Sequence, residues 1–116
     1  MRYPFLILAL CLLPVTATAQ TLTTAQIKQQ IVGRNVCWQF LFREICIFHG
    51  RDGITKLDRE PDLFQDKSDS GPHVVADNQL CATWKKSGTR ACWSFVKTTA
   101  GYDMTINGRT LSVTVR

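Results

Sequence analysis

Two histidines, five cysteines and nine carboxylates are the side chains of this chain with the most scope for chemistry. Four of the cysteines, Cys37, Cys46, Cys81 and Cys92, have eight and ten residues intervening within pairs, whereas a zinc site needs close pairs such as C-x2-C. Disulfides are therefore expected, and with those thiols oxidised no cysteine nucleophile remains. No G-x-S-x-G elbow, H-E-x-x-H helix or phosphate-binding glycine loop occurs. Acid–base catalysis would have to draw on His73 with Asp66, Asp69 or Asp77; the expectation is a non-enzymatic protein without cofactor. Asp66-Lys67-Ser68-Asp69-Ser70-Gly71, with Asp77 at the twelfth place, imitates a calcium loop. An Asp where a bidentate Glu belongs, Pro72 and His73 at the seventh and eighth places, and no flanking helices favour a solvated acidic loop and no metal. Lys85, Lys86 and Arg90 cluster at a hairpin tip beside Trp84, whose own alternation points it inward to a core. His73, Trp84, Lys85, Lys86 and Arg90 are the candidate ligand-binding residues.

The elements that position these groups begin after an export signal. Residues 1–19 combine Arg2, an apolar run from Phe5 to Leu13, Pro14, and a small-x-small site at Ala17-Thr18-Ala19. Cys11 lies inside the apolar run after Leu10, where a lipid-attachment site wants a small residue. The apolar run is too short to span a bilayer, so a soluble periplasmic or secreted domain over residues 20–116 is expected, with no stable membrane insertion after cleavage. Without Arg2 the formal charge of +5 becomes +4. Acidic residues crowd the middle (Asp58, Glu60, Asp62, Asp66, Asp69, Asp77) and basic residues the end (Lys85, Lys86, Arg90, Lys97, Arg109, Arg116). Export excludes nucleic acid as the natural partner and points to an anionic envelope polymer or an acidic protein.

Thr23-Thr24 before Ala25 to Ile31, closed by Gly33, predicts a short capped helix that packs on or plugs a sheet. Asn35 to Phe42 and Glu44 to His49 are rich in β-formers, but Leu41 to Arg43 holds no Gly, Pro or Asn, so two strands and one long bent strand both fit. Ile54 to Leu57 follows a Gly50 to Gly53 turn, and Asp58 to Pro72 reads as a long loop. From His73 on the pattern is strand and turn in alternation: His73 to Ala76, Gln79 to Trp84, Thr89 to Lys97, Tyr102 to Ile106 and Arg109 to Val115. The fold class is mainly β, a short N-terminal helix followed by an antiparallel up-and-down meander, as a small barrel or half-barrel.

One register satisfies the meander. A two-residue Asn107-Gly108 turn pairs Met104 with Leu111 and Tyr102 with Val113. A four-residue loop at Thr98 to Gly101 pairs Phe95 with Met104, one at Lys85 to Gly88 pairs Leu80 with Trp93, and Asp77-Asn78 pairs Val75 with Leu80. The inner face becomes Val75, Leu80, Ala82, Trp84, Ala91, Trp93, Phe95, Tyr102, Met104, Ile106, Leu111, Val113 and Val115, with no charge among them. His73 shares their parity. The same register sets Cys81 opposite Cys92, and a turn at Leu41-Phe42 would set Cys37 opposite Cys46.

The helix closed by Gly33, the Asp52-Gly53 turn, Gly71, Leu80-Cys81-x-x-Trp84, Cys92-Trp93 and Gly101-Tyr102 together resemble small exported proteobacterial proteins of unknown function. Where that pattern shows Gly-x-Trp, this chain has Gly71-Pro72-His73. The resemblance implies a disulfide-stapled, lipocalin-like β domain and no activity. The functional expectation is a binding module for a small ligand or envelope component, met at the Asp58 to Pro72 loop or the barrel mouth near His73. The alternative is an inhibitor or immunity-type module acting on an envelope hydrolase.

Overall fold

The computed structural model describes residues 20–58 and 68–116; the expected export signal over residues 1–19, and Glu60, Asp62 and Asp66 of the acidic stretch, lie outside them. Helix α1 (Thr24–Gln30) starts at Thr23, whose hydroxyl accepts the Gln26 N–H at 3.2 Å while the Gln26 side chain accepts the Thr23 N–H at 2.8 Å. This reciprocal box satisfies two donors that a seven-residue helix would otherwise leave open. Leu22, Ile27 and Ile31 carry its apolar face and are buried. The strands follow as β1 (Arg34–Phe40), β2 (Arg43–His49), β3 (Ile54–Asp58), β4 (Asp69–Ala76), β5 (Gln79–Thr83), β6 (Arg90–Thr98), β7 (Gly101–Ile106) and β8 (Arg109–Val115). Each pairs antiparallel with the next, and β8 returns to β1 to close an eight-stranded barrel.

The meander register expected from the turns is the one formed. Leu80 faces Trp93, Phe95 faces Met104, Met104 faces Leu111 and Tyr102 faces Val113. The Thr98 to Gly101 connection is tighter than expected, since Thr98 and Gly101 themselves pair and leave a two-residue turn in the same register. Both disulfides join residues directly opposed across a ladder, Cys37 to Cys46 and Cys81 to Cys92, with Cα atoms 4.1 and 4.0 Å apart.

Side chains fill the interior. Trp93, Phe95, Leu80 and Met104 from the strands meet Ile27 and Ile31 of the helix, which plugs one end of the barrel. Thr24 and Asn78 exchange two bonds at 3.0 and 2.9 Å, and the Tyr102 hydroxyl donates to Gln30 at 2.8 Å, fixing the plug to the β4–β5 turn and to β7. Of the expected inner row, Leu111 alone is exposed, at 37 %. β1 and β8 pair at Val36–Val115 and Cys37–Thr114, with Asn35 and Arg116 exchanging backbone bonds at 2.8 and 2.9 Å beyond them, so the ladder does not reach the start of β8 and leaves Leu111 uncovered on that side.

A second correction concerns the acidic stretch. Asp58 ends β3 opposite Cys46, and Asp69 to Pro72 belongs to β4, paired residue for residue with Leu57 to Ile54, so both ends of the expected Asp58 to Pro72 loop are strand. The calcium-loop imitation falls with it, because its fourth to eleventh places lie straight in a strand, with side chains alternating across the sheet. Gly71 explains why this stretch is a strand at all: a methyl group there would overlap the Thr83 carbonyl, so only glycine lets β4 lie this close to β5.

Three two-residue turns hold both central residues at positive φ: Asp77–Asn78 (52° and 60°), Asn107–Gly108 (49° and 75°) and Leu41–Phe42 (47° and 70°). Asp, Asn and Gly tolerate that region. For Leu and Phe it costs about 1 to 2 kcal/mol per residue.

Candidate functional site

At the plugged end, α1, the β2–β3 turn and β4 leave an open cleft of about 560 Å³. Its lining is Lys28, Gln29, Val32, Arg51, His73 and Val75: two cations, an amide, an imidazole and two aliphatic side chains, with no carboxylate. The helix contributes consecutive exposed positions on the turn of α1 that faces away from the core. Arg51 projects from the tight turn between β2 and β3, held by Gly53 N–H to Gly50 O at 3.1 Å and by the Asp52 carboxylate, which accepts the Ile54 N–H at 3.1 Å. His73 and Val75 are inward positions of β4 at the edge of the plug.

Behind His73 a hydrogen-bonded chain runs into the barrel. Thr55 is fully buried, and its hydroxyl lies 3.0 Å from His73 Nδ1 and 2.9 Å from Nδ1 of His49, which is also fully buried. One hydroxyl donates one proton, so it donates to one ring and accepts from the other, and the two imidazoles take opposite tautomers. His49 Nε2 is buried with no partner among the described residues. A stranded N–H there would be the dearer choice, which assigns the His49 proton to Nδ1, donating to Thr55. Thr55 then donates to His73 Nδ1, and His73 keeps an Nε2–H on the side turned away from Thr55. The tautomers are inferred from this network.

Both rings are held neutral. Burial first, and the neighbouring His73 second, lower the His49 pKa to about 3. Burial also lowers His73, opposed by the nearby Asp52 carboxylate, which raises it. His49 stacks at a tilt on Trp93 at 5.3 Å, and Trp93 meets the edge of Trp84 at 6.1 Å, so an aromatic file crosses the core from the cleft toward the other end.

The five candidate ligand-binding residues do not converge. His73 opens on the cleft; Trp84 is half-buried against Trp93 and the core; Lys85, Lys86 and Arg90 lie at the β5–β6 hairpin on the opposite end. There the backbone is tied down, with Lys85 N–H donating to Ser70 O at 2.9 Å and Lys86 N–H to the Asp69 carboxylate at 3.2 Å. That carboxylate also accepts the Ser70 N–H at 2.8 Å, and Asp77 sits in the β4–β5 turn. Of the three carboxylates weighed as catalytic partners of His73, Asp66 lies outside the described residues. Lys28, Arg51, Thr55 and His49 were not singled out from the sequence. For His49 a signal existed: Ile45, Ile47 and His49 share one parity on β2, and all three are buried. Cys37, Glu44 and Cys46 come together on the outer wall, but both sulfurs are spent in the disulfide.

Comparison with protein-family models, curated proteins and solved structures finds no match. The functional reading therefore rests on the geometry.

Proposed function

We propose that the protein is a non-enzymatic binding module of an oxidising compartment, periplasmic or secreted, that holds a small anionic ligand in the cleft beside His73. The observation that carries this reading is the lining itself: Lys28 and Arg51 flank a neutral imidazole donor, and no acidic residue lines the space. A carboxylate or phosphate group fits such a set, taking a forked pair of N–H bonds from the guanidinium and a single bond from His73 Nε2. Thr55 and His49 serve as positioning residues, since they fix which nitrogen of His73 carries the proton. Val32 and Val75 offer apolar surface to a short carbon skeleton. The filled interior directs the ligand to this mouth and away from a carrier cavity within the barrel. Two disulfides suit an oxidising compartment, and no helix among the described residues is long and apolar enough to cross a membrane.

Isothermal titration with inorganic phosphate and with succinate tests the reading. A saturable heat with at least one of them, weakened tenfold or more by Arg51→Ala and by His73→Phe, is expected. Absence of heat with both anions, or binding indifferent to Arg51, would sink it.

A further inference from the structure

The end of the barrel opposite the cleft carries the most exposed apolar side chains among the described residues. Phe40 is 55 %, Leu41 75 % and Phe42 105 % exposed, three in succession over the β1–β2 tip. The β1–β8 ladder stops at Cys37–Thr114, and the same register carried onward brings Phe40 level with the exposed Leu111. Soluble domains bury or disperse such residues; a contiguous group marks a docking surface. The fold does not ask for them either, because both central positions of the turn have positive φ, where Asn and Gly sit without strain.

Among the described residues, the charges around the tip indicate what covers it. Arg43 closes the tip and Arg109 opens β8, both exposed, and Arg90 lies at the same end. Glu44, the carboxylate next to Arg43, is ion-paired with Arg116, and Asp69 is engaged by two backbone N–H groups. An exposed apolar group rimmed by arginines matches the layered chemistry of an anionic lipid surface, apolar beneath and phosphate above. We propose that the Phe40–Phe42 tip, with Leu111, docks the barrel peripherally on a phospholipid surface that carries anionic headgroups. The apolar side chains enter the interfacial layer while Arg43 and Arg109 meet headgroup phosphates at its rim. This goes beyond the cleft reading, lies at the other end of the molecule, and stands or falls separately from it.

The test uses the oxidised chain from Gln20 onward, which holds every described element of the barrel and lacks the apolar run from Phe5 to Leu13. Co-sedimentation is measured with vesicles of phosphatidylcholine alone and of phosphatidylcholine mixed with phosphatidylglycerol. Binding to the mixed vesicles is expected to exceed binding to the neutral ones about tenfold and to fall about tenfold with added salt or with Arg43→Gln/Arg109→Gln. Leu41→Asn/Phe42→Gly, which keeps the turn, is expected to remove the binding while both disulfides and the thermal unfolding transition remain. A Phe42→Trp variant is expected to show blue-shifted emission on the mixed vesicles and quenching by brominated lipid. No binding to mixed vesicles, equal binding to neutral ones, or unchanged binding by Leu41→Asn/Phe42→Gly would overturn the proposal, and the first of these would leave a protein as the occupant of the tip.

Discussion

Two neighbouring hairpins finish the same end of the barrel on nearly the same backbone and with opposite side chains. The β7–β8 turn has φ of 49° and 75° at Asn107–Gly108; the β1–β2 turn has 47° and 70° at Leu41–Phe42. In the first, residue type and conformation agree, and the ladder behind it runs from Ile106–Arg109 to Tyr102–Val113 with no covalent help. In the second they conflict, at about 1 to 2 kcal/mol per residue, and a disulfide ties the strands three pairs behind the turn. Of these two hairpins, the one closed by local preference has no staple, and the one whose turn conflicts with its residues has one, which leaves that turn free to carry residues chosen for another purpose. That contrast makes the β1–β2 tip a surface kept at the expense of local stability, and it argues for function more firmly than exposure does alone.

The comparison breaks most visibly if the staple is removed. Cys37→Ser/Cys46→Ser is expected to lose about 3 kcal/mol in urea unfolding, from the freed ring of roughly ten residues, and more than Cys81→Ser/Cys92→Ser, whose hairpin has Gly88 at positive φ to ease its turn. Equal losses at the two sites would show that the strained turn adds nothing. The next largest effect should follow from transferring the strain: Asn107→Leu/Gly108→Phe is expected to lose about 2 kcal/mol with no new partner for the added side chains. A neutral result would mean that this barrel end tolerates any residue in such turns.

The cleft end sharpens the contrast through pH, since it alone buries an imidazole. His49 has its pKa lowered to about 3 in the folded state against an unfolded value near 6.5. The folded protein refuses a proton that the unfolded chain accepts. Stability is therefore full above about pH 6.5 and declines as pH falls toward 3, by up to about 1.4 kcal/mol per pH unit. The partly exposed His73, shifted the same way, adds a smaller share. His49→Phe should flatten most of this slope in urea midpoints measured across that range, whereas changes at the Leu41–Phe42 tip should leave it intact. An unaltered slope in His49→Phe would assign the acid sensitivity elsewhere.

Most of the barrel was legible because its signals are local. Asn107-Gly108 and Asp77-Asn78 announce their own turns, and a single register then aligned Trp93, Phe95 and Met104 on one face and set Cys81 against Cys92. The β1–β2 turn had no such signal, and its place followed from opposing Cys37 to Cys46. Closure was not legible, because Val36 meets Val115 across nearly the whole chain and neither residue differs from its neighbours in kind. Leu111 was misplaced for the same reason: parity gives a face, but only the extent of the β1–β8 ladder says whether anything covers it. Asp69 to Pro72 reads as loop on its composition, although Gly71 is there to let two strands approach. His73 at a barrel mouth was legible from its parity, but its neighbours in the cleft were not, because Lys28 and Arg51 are ordinary surface cations in sequence, brought beside His73 only when α1 seats in the barrel mouth.

The central claim is that Leu41 and Phe42 are retained against the interest of the fold. The most direct measurement is the urea-unfolding free energy of Leu41→Asn/Phe42→Gly beside that of the parent. Relief of two strained residues, less about 1 kcal/mol for the added glycine entropy, predicts a gain of about 2 kcal/mol with an unchanged urea slope. An equal or lower stability would contradict the account, showing that the exposed tip serves the barrel itself.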